Sequence, residues 1–157
     1  MRYPNLLLDN QLCFALYSAT NAITRYYRLY LKELGITYSQ YLVLISLWEG
    51  NCKNVSDIGK MLKLDLPTIT PILQKLDAYG LIKKSRSSED ERIVIVELTQ
   101  KGIDLEENVA AIQDKVACKT GLARDEFNTL KATLNDLTDA MEINATDVKD
   151  LKLNHCK

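Results

Sequence analysis

The chain has 157 residues, of which 46% are hydrophobic and 26% are charged, and its formal net charge is −1. This composition is typical of one folded domain with a core, and the sequence contains no apolar run of the roughly 18 residues that a membrane span needs. The first ten residues, MRYPNLLLDN, contain no apolar run of signal-sequence length, so we expect a cytoplasmic protein with no membrane partner.

The charge is unevenly distributed, with a net of +1 over residues 1–59, +2 over residues 60–102 and −4 over residues 103–157. A mildly basic centre suits contact with nucleic acid, but so small an excess is a weak signal alone. Hydrolase motifs, Gly-rich phosphate loops and paired catalytic carboxylates are absent from the sequence. We therefore expect neither enzymatic activity nor a cofactor.

Four cysteines, Cys13, Cys52, Cys118 and Cys156, are far apart and form no C-x-x-C pair. In a cytosolic protein such thiols are normally reduced, so they do not form a disulfide framework. The one histidine, His155, lies beside Cys156 in a polar tail, which excludes a histidine-rich metal site.

The first predicted element is a long helix. Asp9 and Asn10 are good N-caps, the helix runs to about Leu34, and Gly35 ends it. Its apolar side chains recur at intervals of three and four residues, which indicates a stripe that packs against another helix.

Three more helices are predicted in the next 45 residues. The apolar run YLVLISLW favours a helix from Tyr38 to about Glu49, and two short helices follow, Val55 to Leu62 and about Leu66 to Tyr79. Asp65 is placed to cap the last of these, and Pro67 in its first turn removes no hydrogen bond that the helix needs.

The pattern then changes to that of strands. LIKKSRSS and RIVIVELT flank the charged EDE, and the abundance of β-branched residues favours two strands joined by an exposed turn. Two helices follow, about Gln100 to Cys118 and about Arg124 to Ile143, with a polar tail over residues 144–157. No repeat or linker divides the chain, so we predict one domain spanning residues 1–157.

Two short helices with a tight connection, followed by a hairpin, predict a winged helix-turn-helix. The second helix of such a pair enters the major groove of DNA and presents its N-terminal residues to the base edges. Here that helix offers Thr68, Thr70, Gln74 and Lys75. Gln can pair with adenine, Thr can contact a thymine methyl group, and Lys can reach guanine or phosphate.

The hairpin also carries cations. Lys83, Lys84 and Arg86 on its first strand suit phosphate groups, and Arg92 near the tip is placed to enter the minor groove. For any single lysine, a solvated surface charge is the simpler interpretation. The ordered set of basic and polar groups is what favours a DNA-binding surface.

The run LDLPTITPILQKLDAYGLIKKSRSSEDERIVIVELTQKG resembles the MarR family of dimeric winged-helix regulators, and the resemblance extends from about Asp9 to Ile143. It implies that Asp90 braces the wing and that Arg92 enters the minor groove. Leu66-Pro67 departs from the family pattern, in which small or polar residues are common, and this leaves the exact operator contacts open.

The resemblance also implies the architecture: a mainly α fold with a small β-hairpin wing. Residues 38–99 would form the DNA-binding region, and residues 9–34 and 100–143 would be dimerisation helices that intertwine two copies into a homodimer.

Within that family, DNQLCFALYSA resembles the organic hydroperoxide-sensing branch (OhrR-like). This implies that Cys13 senses the peroxide and that Tyr27 and Tyr38 hydrogen-bond its sulfur. The position of Cys13 agrees, because free N–H groups and the helix dipole in a first turn favour a thiolate. Peroxide oxidises a thiolate to sulfenic acid. The alternative is that Cys13 is a small packing residue, as lone buried cysteines usually are.

The spacing of Cys13 and Tyr27 adds a geometric condition. They are 14 positions apart on one predicted helix, which is roughly 21 Å at 1.5 Å per residue. A tyrosine contact therefore requires Tyr27 of a partner chain, and the sensor would be shared across a dimer that reads a palindromic operator.

The resemblance also implies a role for Cys118 as a resolving thiol that forms a disulfide with Cys13 of the other subunit. In the alternative route a small thiol caps Cys13 instead. Cys52, in a loop, and Cys156, in the tail, are interpreted as accidental thiols.

The sequence thus predicts a homodimeric repressor of double-stranded DNA that leaves a palindromic operator when organic hydroperoxide oxidises Cys13. Two alternatives stay open at this point. One is a MarR-type regulator that responds to a small phenolic ligand, with Cys13 structural only. The other is a winged-helix protein-interaction module that never binds DNA.

Overall fold

The computed structural model describes residues 3–142, and the chain divides into two units, Met1–Lys119 and Thr120–Lys157. The described part of the second unit contains one helix, α7 (Arg124–Ala140). The first unit contains six α-helices and three short strands, in the order α1 (Leu12–Leu31), α2 (Tyr38–Trp48), β1 (Lys53–Asn54), α3 (Val55–Leu62), α4 (Leu66–Ala78), β2 (Ile82–Arg86), β3 (Val94–Leu98), α5 (Gln100–Asp104) and α6 (Glu106–Lys119).

The predicted winged helix-turn-helix is confirmed. Helices α2, α3 and α4 lie within a residue of their predicted bounds, and β2 and β3 form the predicted hairpin. The helix predicted from Gln100 to Cys118 is interrupted at Leu105 and forms α5 and α6. The predicted end of the last helix at Ile143 and the tail over residues 144–157 lie outside the described residues.

The predicted N-caps of the first helix are wrong. Asp9 and Asn10 belong to a separate 3-10 turn, and α1 begins at Leu12 after Gln11, which makes no side-chain cap hydrogen bond. The physical reason is that the Asn10 side chain is used upstream, where its Nδ2 donates to the carbonyl of Pro4 at 3.0 Å. Cys13 is nevertheless in the first turn of α1.

Helices α2, α3 and α4 all have side-chain caps. The Thr37 hydroxyl accepts from the Gln40 N–H, and the Gln40 side chain accepts in return from the Thr37 N–H at 2.8 Å, which is a capping box at the start of α2. Asn54 caps α3, and Asp65 caps α4 as predicted. These caps fix where the helices of the DNA-reading pair begin.

The sheet has the antiparallel order β1-β3-β2. β1 was not predicted, since it is only two residues long, with Lys53 opposite Val96 and Asn54 opposite Ile95. The side chain of Asn51 holds this edge, because its Oδ1 accepts from the Leu98 N–H at 2.8 Å. The wing is thereby tied to the start of α3.

The core of the first unit joins the helix pair to the wing and to α6. Its fully buried side chains come from six elements and include Leu31, Leu44, Leu47, Ile58, Ile69, Leu76, Ile82 and Val96. Over residues 3–142, no helix has both the length and the apolar character that a membrane crossing demands.

Candidate functional site

A groove of about 520 Å³ lies between the start of α3, the outer face of α4 and the wing. Thr70 and Gln74 line it from α4, and Lys84 and Arg92 line it from the wing. These four are the predicted DNA-binding residues that the fold brings together on one surface. The Thr70 hydroxyl donates to the Leu66 carbonyl at 2.7 Å, so its methyl group and its oxygen lone pairs remain for a ligand.

Thr68 and Lys75 are exposed on α4 but do not line the groove. The Thr68 N–H donates to the Asp65 carboxylate at 3.0 Å. A side-chain hydrogen bond with Thr68, together with this backbone one, holds the pKa of Asp65 below its usual range. The cap is therefore charged at neutral pH and fixes the amino end of α4.

Lys83 and Lys84 point to opposite faces of β2, because side chains alternate along a strand. Lys84 lines the groove, and its Nζ lies 3.2 Å from Asp77 of α4 with 28% of the side chain exposed. Lys83 pairs instead with Glu97 of β3 at 3.0 Å and does not line the groove. The fold therefore separates two residues that the sequence treats alike.

The tip of the wing is held by two arginines. Arg86 Nη1 donates to the Glu91 carbonyl at 2.7 Å, across the turn. Arg92 donates to Asp90 through Nε and Nη2, at 3.1 and 3.2 Å, and through its backbone N–H at 3.0 Å. These hydrogen bonds lower the pKa of Asp90. The Arg92 side chain is nevertheless 91% exposed, so it projects from a braced turn.

Sequence reasoning missed the contribution of α3 to this groove. Asn54, Ser56 and Lys60 line it from the cap, first turn and last turn of α3. The signal in the sequence was the polar face of α3, the first helix of the pair. Lys60 on this face adds a cation to the side of the groove opposite the wing.

Cys13 is exposed in the single chain and is the second residue of α1. Tyr27 lies on the same uninterrupted helix, so the two residues are separated by roughly 21 Å along its axis. The fold therefore does not bring Cys13 and Tyr27 of one chain into contact.

Tyr27 and Tyr38, in contrast, lie together, with ring centroids 5.1 Å apart. A third ring, Tyr41, completes the cluster at 4.9 Å from Tyr27 and 5.6 Å from Tyr38. The Tyr41 hydroxyl donates to the Tyr27 hydroxyl at 3.3 Å. Tyr41 was not predicted, although it lies three residues after Tyr38 and so on the same face of α2.

Burial controls the ionisation of these phenols. Desolvation raises the pKa of Tyr38, and desolvation together with the hydrogen bond to Tyr27 raises the pKa of Tyr41 strongly. Both phenols therefore keep their protons at neutral pH and can act as hydrogen-bond donors.

Cys118 is exposed near the end of α6, one turn after Lys115. The Lys115 Nζ lies 5.7 Å from the centre of the Tyr30 ring on α1, and Tyr30 is about 25 Å along α1 from Cys13. Cys118 is thus near the carboxyl-terminal half of α1, and Cys13 is at its amino end. Cys52 is exposed in a loop, with a positive φ of 74°, and Cys156 lies outside the described residues.

The comparisons with known proteins agree with this architecture. Residues 25–109, more than half of the chain, match the family described as transcriptional regulator SarA/Rot. An organic hydroperoxide resistance transcriptional regulator of Bacillus subtilis (strain 168) is 36% identical over 140 residues, which cover 89% of this chain and 95% of that protein.

Two solved structures of AbfR, a Staphylococcus epidermidis protein, have a similar fold. Reduced AbfR bound to DNA has a TM-score of 0.74 and 34% identity, and the match covers 90% of this chain and 96% of that one. Disulfide-formed AbfR has a TM-score of 0.61 and 37% identity, covering 83% and 92%.

The matched family and the Bacillus relative are transcriptional regulators, so the prediction that the chain is not an enzyme is confirmed. The family model covers more than half of the chain, and the relative covers nearly nine-tenths of it. The chain therefore belongs to the SarA/Rot and MarR-type family of winged-helix transcriptional regulators.

Proposed function

We propose that this chain is a homodimeric transcriptional repressor that leaves a palindromic double-stranded DNA operator when an organic hydroperoxide oxidises Cys13. The observation that carries the proposal is the cluster of Tyr27 and Tyr38, with ring centroids 5.1 Å apart. Tyr27 is buried, Tyr38 is half-buried, and Tyr27 lies about 21 Å along α1 from the chain's own Cys13, so a second copy has to supply the thiol.

Support for DNA binding comes from the groove between α3, α4 and the wing. Gln74 and Thr70 suit base edges in the major groove, and Arg92, exposed on a braced turn, suits the minor groove. Reduced AbfR, which is 34% identical to this chain, is bound to DNA in its structure. Because the partner is operator DNA, we propose that the protein acts in the cytoplasm.

Support for a dimer comes from apolar side chains that a single chain leaves uncovered. Leu12, Phe14, Tyr17 and Ile23 are exposed along the first twelve residues of α1. In the second unit, α7 buries none of its own residues. Apolar surface of this extent is usually covered by a partner. A second copy of the chain covers it and gives the two-fold symmetry that a palindrome requires.

The proposed chemistry needs only the thiolate and the hydroperoxide. The sulfur of Cys13 attacks the terminal oxygen of R–O–O–H, the O–O bond breaks, and the alkoxide leaves and takes up a proton to become an alcohol. The sulfur loses two electrons and becomes a sulfenic acid. First-turn N–H groups of α1 and phenolic protons from the partner subunit stabilise the thiolate that starts this reaction.

We further propose that the sulfenic acid condenses with the thiol of Cys118 from the other subunit, forming an S–S bond and releasing water. The two sulfurs end about 2 Å apart, and this bond would pull on α1 and α6 and reorient the DNA-reading helices. Disulfide-formed AbfR supports such a state in a relative of this chain.

The test is operator binding by reduced protein during titration with cumene hydroperoxide, using wild type and Cys13→Ser in parallel. The operator is first selected from a random DNA pool by the reduced protein. We expect wild type to release the DNA and Cys13→Ser to retain it. Release by both proteins would contradict peroxide sensing through Cys13.

The alternative function, a regulator that responds to a small phenolic ligand with Cys13 structural only, has one structural observation in its favour. A cavity of about 370 Å³ between α2 and α6, lined by Ile45, Trp48 and Val109 among others, is large enough for a small ligand. If Cys13→Ser behaves as wild type does, release of DNA by phenolic compounds is the next measurement.

A further inference from the structure

Tyr41 contacts the tyrosine pair from α2 but is not one of the two phenols that the proposed sensor places on the sulfur. We propose that Tyr41 is a positioning residue of the sensor: its hydroxyl donates to Tyr27 and so directs the Tyr27 proton to the sulfur of Cys13 in the partner subunit. This inference rests on the proposed function.

The direction of the hydrogen bond between the two hydroxyls decides where the Tyr27 proton can point. Each tyrosine hydroxyl carries one proton and has two acceptor lone pairs. The Tyr41 hydroxyl lies 3.3 Å from the Tyr27 hydroxyl, and Tyr41 is assigned as the donor. Tyr27 uses a lone pair in this bond, so its own proton cannot point back at Tyr41 and remains for another acceptor. A thiolate arriving from the partner subunit is such an acceptor.

Burial keeps this direction fixed. Tyr41 is 3% exposed, so water has little access to compete for its hydroxyl. Ring contacts of 4.9 and 5.6 Å from Tyr41 to Tyr27 and Tyr38 hold its ring in place. The raised pKa of Tyr41 keeps it protonated, and therefore a donor, throughout the pH range in which a thiol ionises.

A hydroxyl group that accepts one hydrogen bond also becomes a stronger donor in the next. When Tyr27 accepts a hydrogen bond, its own O–H is polarised and donates more strongly, an effect of roughly 10–30% per bond. A hydrogen bond to an anion gains most from this, because charge-assisted bonds are the strong ones. Tyr41 therefore favours the thiolate without touching it, and its loss shifts the reactivity of Cys13 to higher pH.

The experiment measures sulfenic acid formation at Cys13 with cumene hydroperoxide between pH 5 and pH 9, by dimedone trapping and mass spectrometry. The full-length dimer carries Cys118→Ser so that the sulfenic acid accumulates. Four proteins are compared in this background: the parent, Tyr41→Phe, Tyr27→Phe and the double variant. Tyr79→Phe, which removes an exposed hydroxyl at the end of α4, is the control.

We expect Tyr41→Phe to move the pH–rate profile up by about half a unit, a threefold loss of rate at low pH, and Tyr27→Phe to move it by about one unit. The double variant should match Tyr27→Phe alone, because Tyr41 acts through the Tyr27 hydroxyl. Tyr79→Phe should match the parent. Phe keeps each ring, and thermal unfolding of every variant checks that the fold is retained.

Four outcomes would overturn the inference. An unchanged profile in Tyr41→Phe removes the role of its hydroxyl, and a full additional shift in the double variant shows that Tyr41 acts through packing. If Tyr27→Phe has no effect while Cys13 still reacts, the tyrosine contact is wrong but peroxide sensing stands. If Cys13 of the parent is not oxidised, the proposed function fails, and the inference fails with it.

Discussion

Lys83 and Lys84 are adjacent in the sequence, but they have different surroundings. Strand alternation directs Lys84 into the groove and Lys83 to the other face, where Glu97 pairs with it at 3.0 Å. The sequence identifies both as candidate phosphate contacts because it shows only their charge. Which one faces DNA depends on the register of β2 against β3, which the sequence does not specify.

Arg92→Ala should weaken operator binding by about tenfold or more, since the proposed dimer loses two copies of the arginine from its wings. The slope of log affinity against log salt should fall by about two, because each cation that contacts DNA releases about one counterion. Fluorescence anisotropy with a labelled operator at several salt concentrations measures both quantities.

Lys83→Ala is the matched control, because it removes the same charge from the same wing on the face away from the groove. We expect its affinity to fall by no more than about threefold, through loss of a distant cation alone. Equal effects of the two variants would show that the wing acts only through its net charge. The proposed contact of Arg92 with DNA from the groove would then be wrong.

At the scale of elements, much of the first unit could be predicted from local signals. Asp65 marks the start of α4, Gly35 with its φ of 71° ends the first helical segment, and β-branched residues mark β3. The missed features depend on distant partners. β1 exists only because two residues pair with β3, and no glycine or proline stands at Leu105 or directly beside it to mark the break between α5 and α6.

The junction after the wing is packed more tightly than any sequence pattern indicates. Thr99 Oγ1 donates to the Gly80 carbonyl at 2.6 Å, and Lys101 Nζ donates to the Tyr79 carbonyl at 2.9 Å. Gly102 packs against the Leu81 carbonyl, and its own carbonyl accepts from the Trp48 indole at 3.1 Å. This junction ties the carboxyl end of α4 to the start of α5.

Gly102→Ala should therefore destabilise the fold. A Cβ there would overlap the carbonyl oxygen of Leu81, which belongs to the backbone and can move only with it. Overpacking of this kind costs about 1–3 kcal/mol, which lowers the melting temperature by about 3–10 °C in a chain of this length. Thermal unfolding followed by circular dichroism measures the change.

Gly50→Ala is the control for that measurement. Its Cβ would meet only the end of the Lys53 side chain, with Nζ at 2.9 Å, and this flexible end can move aside. We expect a melting temperature within about 2 °C of wild type. Similar losses in both variants would show that the contact of Gly102 with Leu81 does not hold the junction together.

At the scale of the whole molecule, the spacing of two residues predicts a sensor shared between chains. Cys13 and Tyr27 are 14 positions apart on one helix, which is too far for them to touch. The structure keeps that helix uninterrupted from Leu12 to Leu31. It adds that Cys118 follows Lys115, which lies over the ring of Tyr30 near the other end of the same helix. A disulfide between Cys13 and Cys118 of one chain would have to cross most of α1, so the proposed bond has to join two chains.

Mixed dimers test this arrangement directly. Cys13→Ser and Cys118→Ser chains are expressed separately and together, all with Cys52 and Cys156 replaced by serine, and are treated with hydroperoxide. Each variant alone should give no covalent dimer on a non-reducing gel, because one member of every Cys13–Cys118 pair is missing. In the co-expressed sample, Cys13 of one chain faces Cys118 of the other, so a covalent dimer that dithiothreitol reverses should form.

The pattern of bands separates the alternatives. A covalent dimer from Cys118→Ser alone would rule out this pairing, since Cys13 would then bond without Cys118. If wild type loses both thiols on oxidation but the mixed sample gives no band, the bond lies within one chain, and the positions of Cys13 and Cys118 on α1 and α6 would have to change before it could form. A band in the mixed sample alone means that the bond joins the α1 helix of one subunit to the α6 helix of its partner, and we then expect oxidation at one Cys13 to displace helices of both subunits.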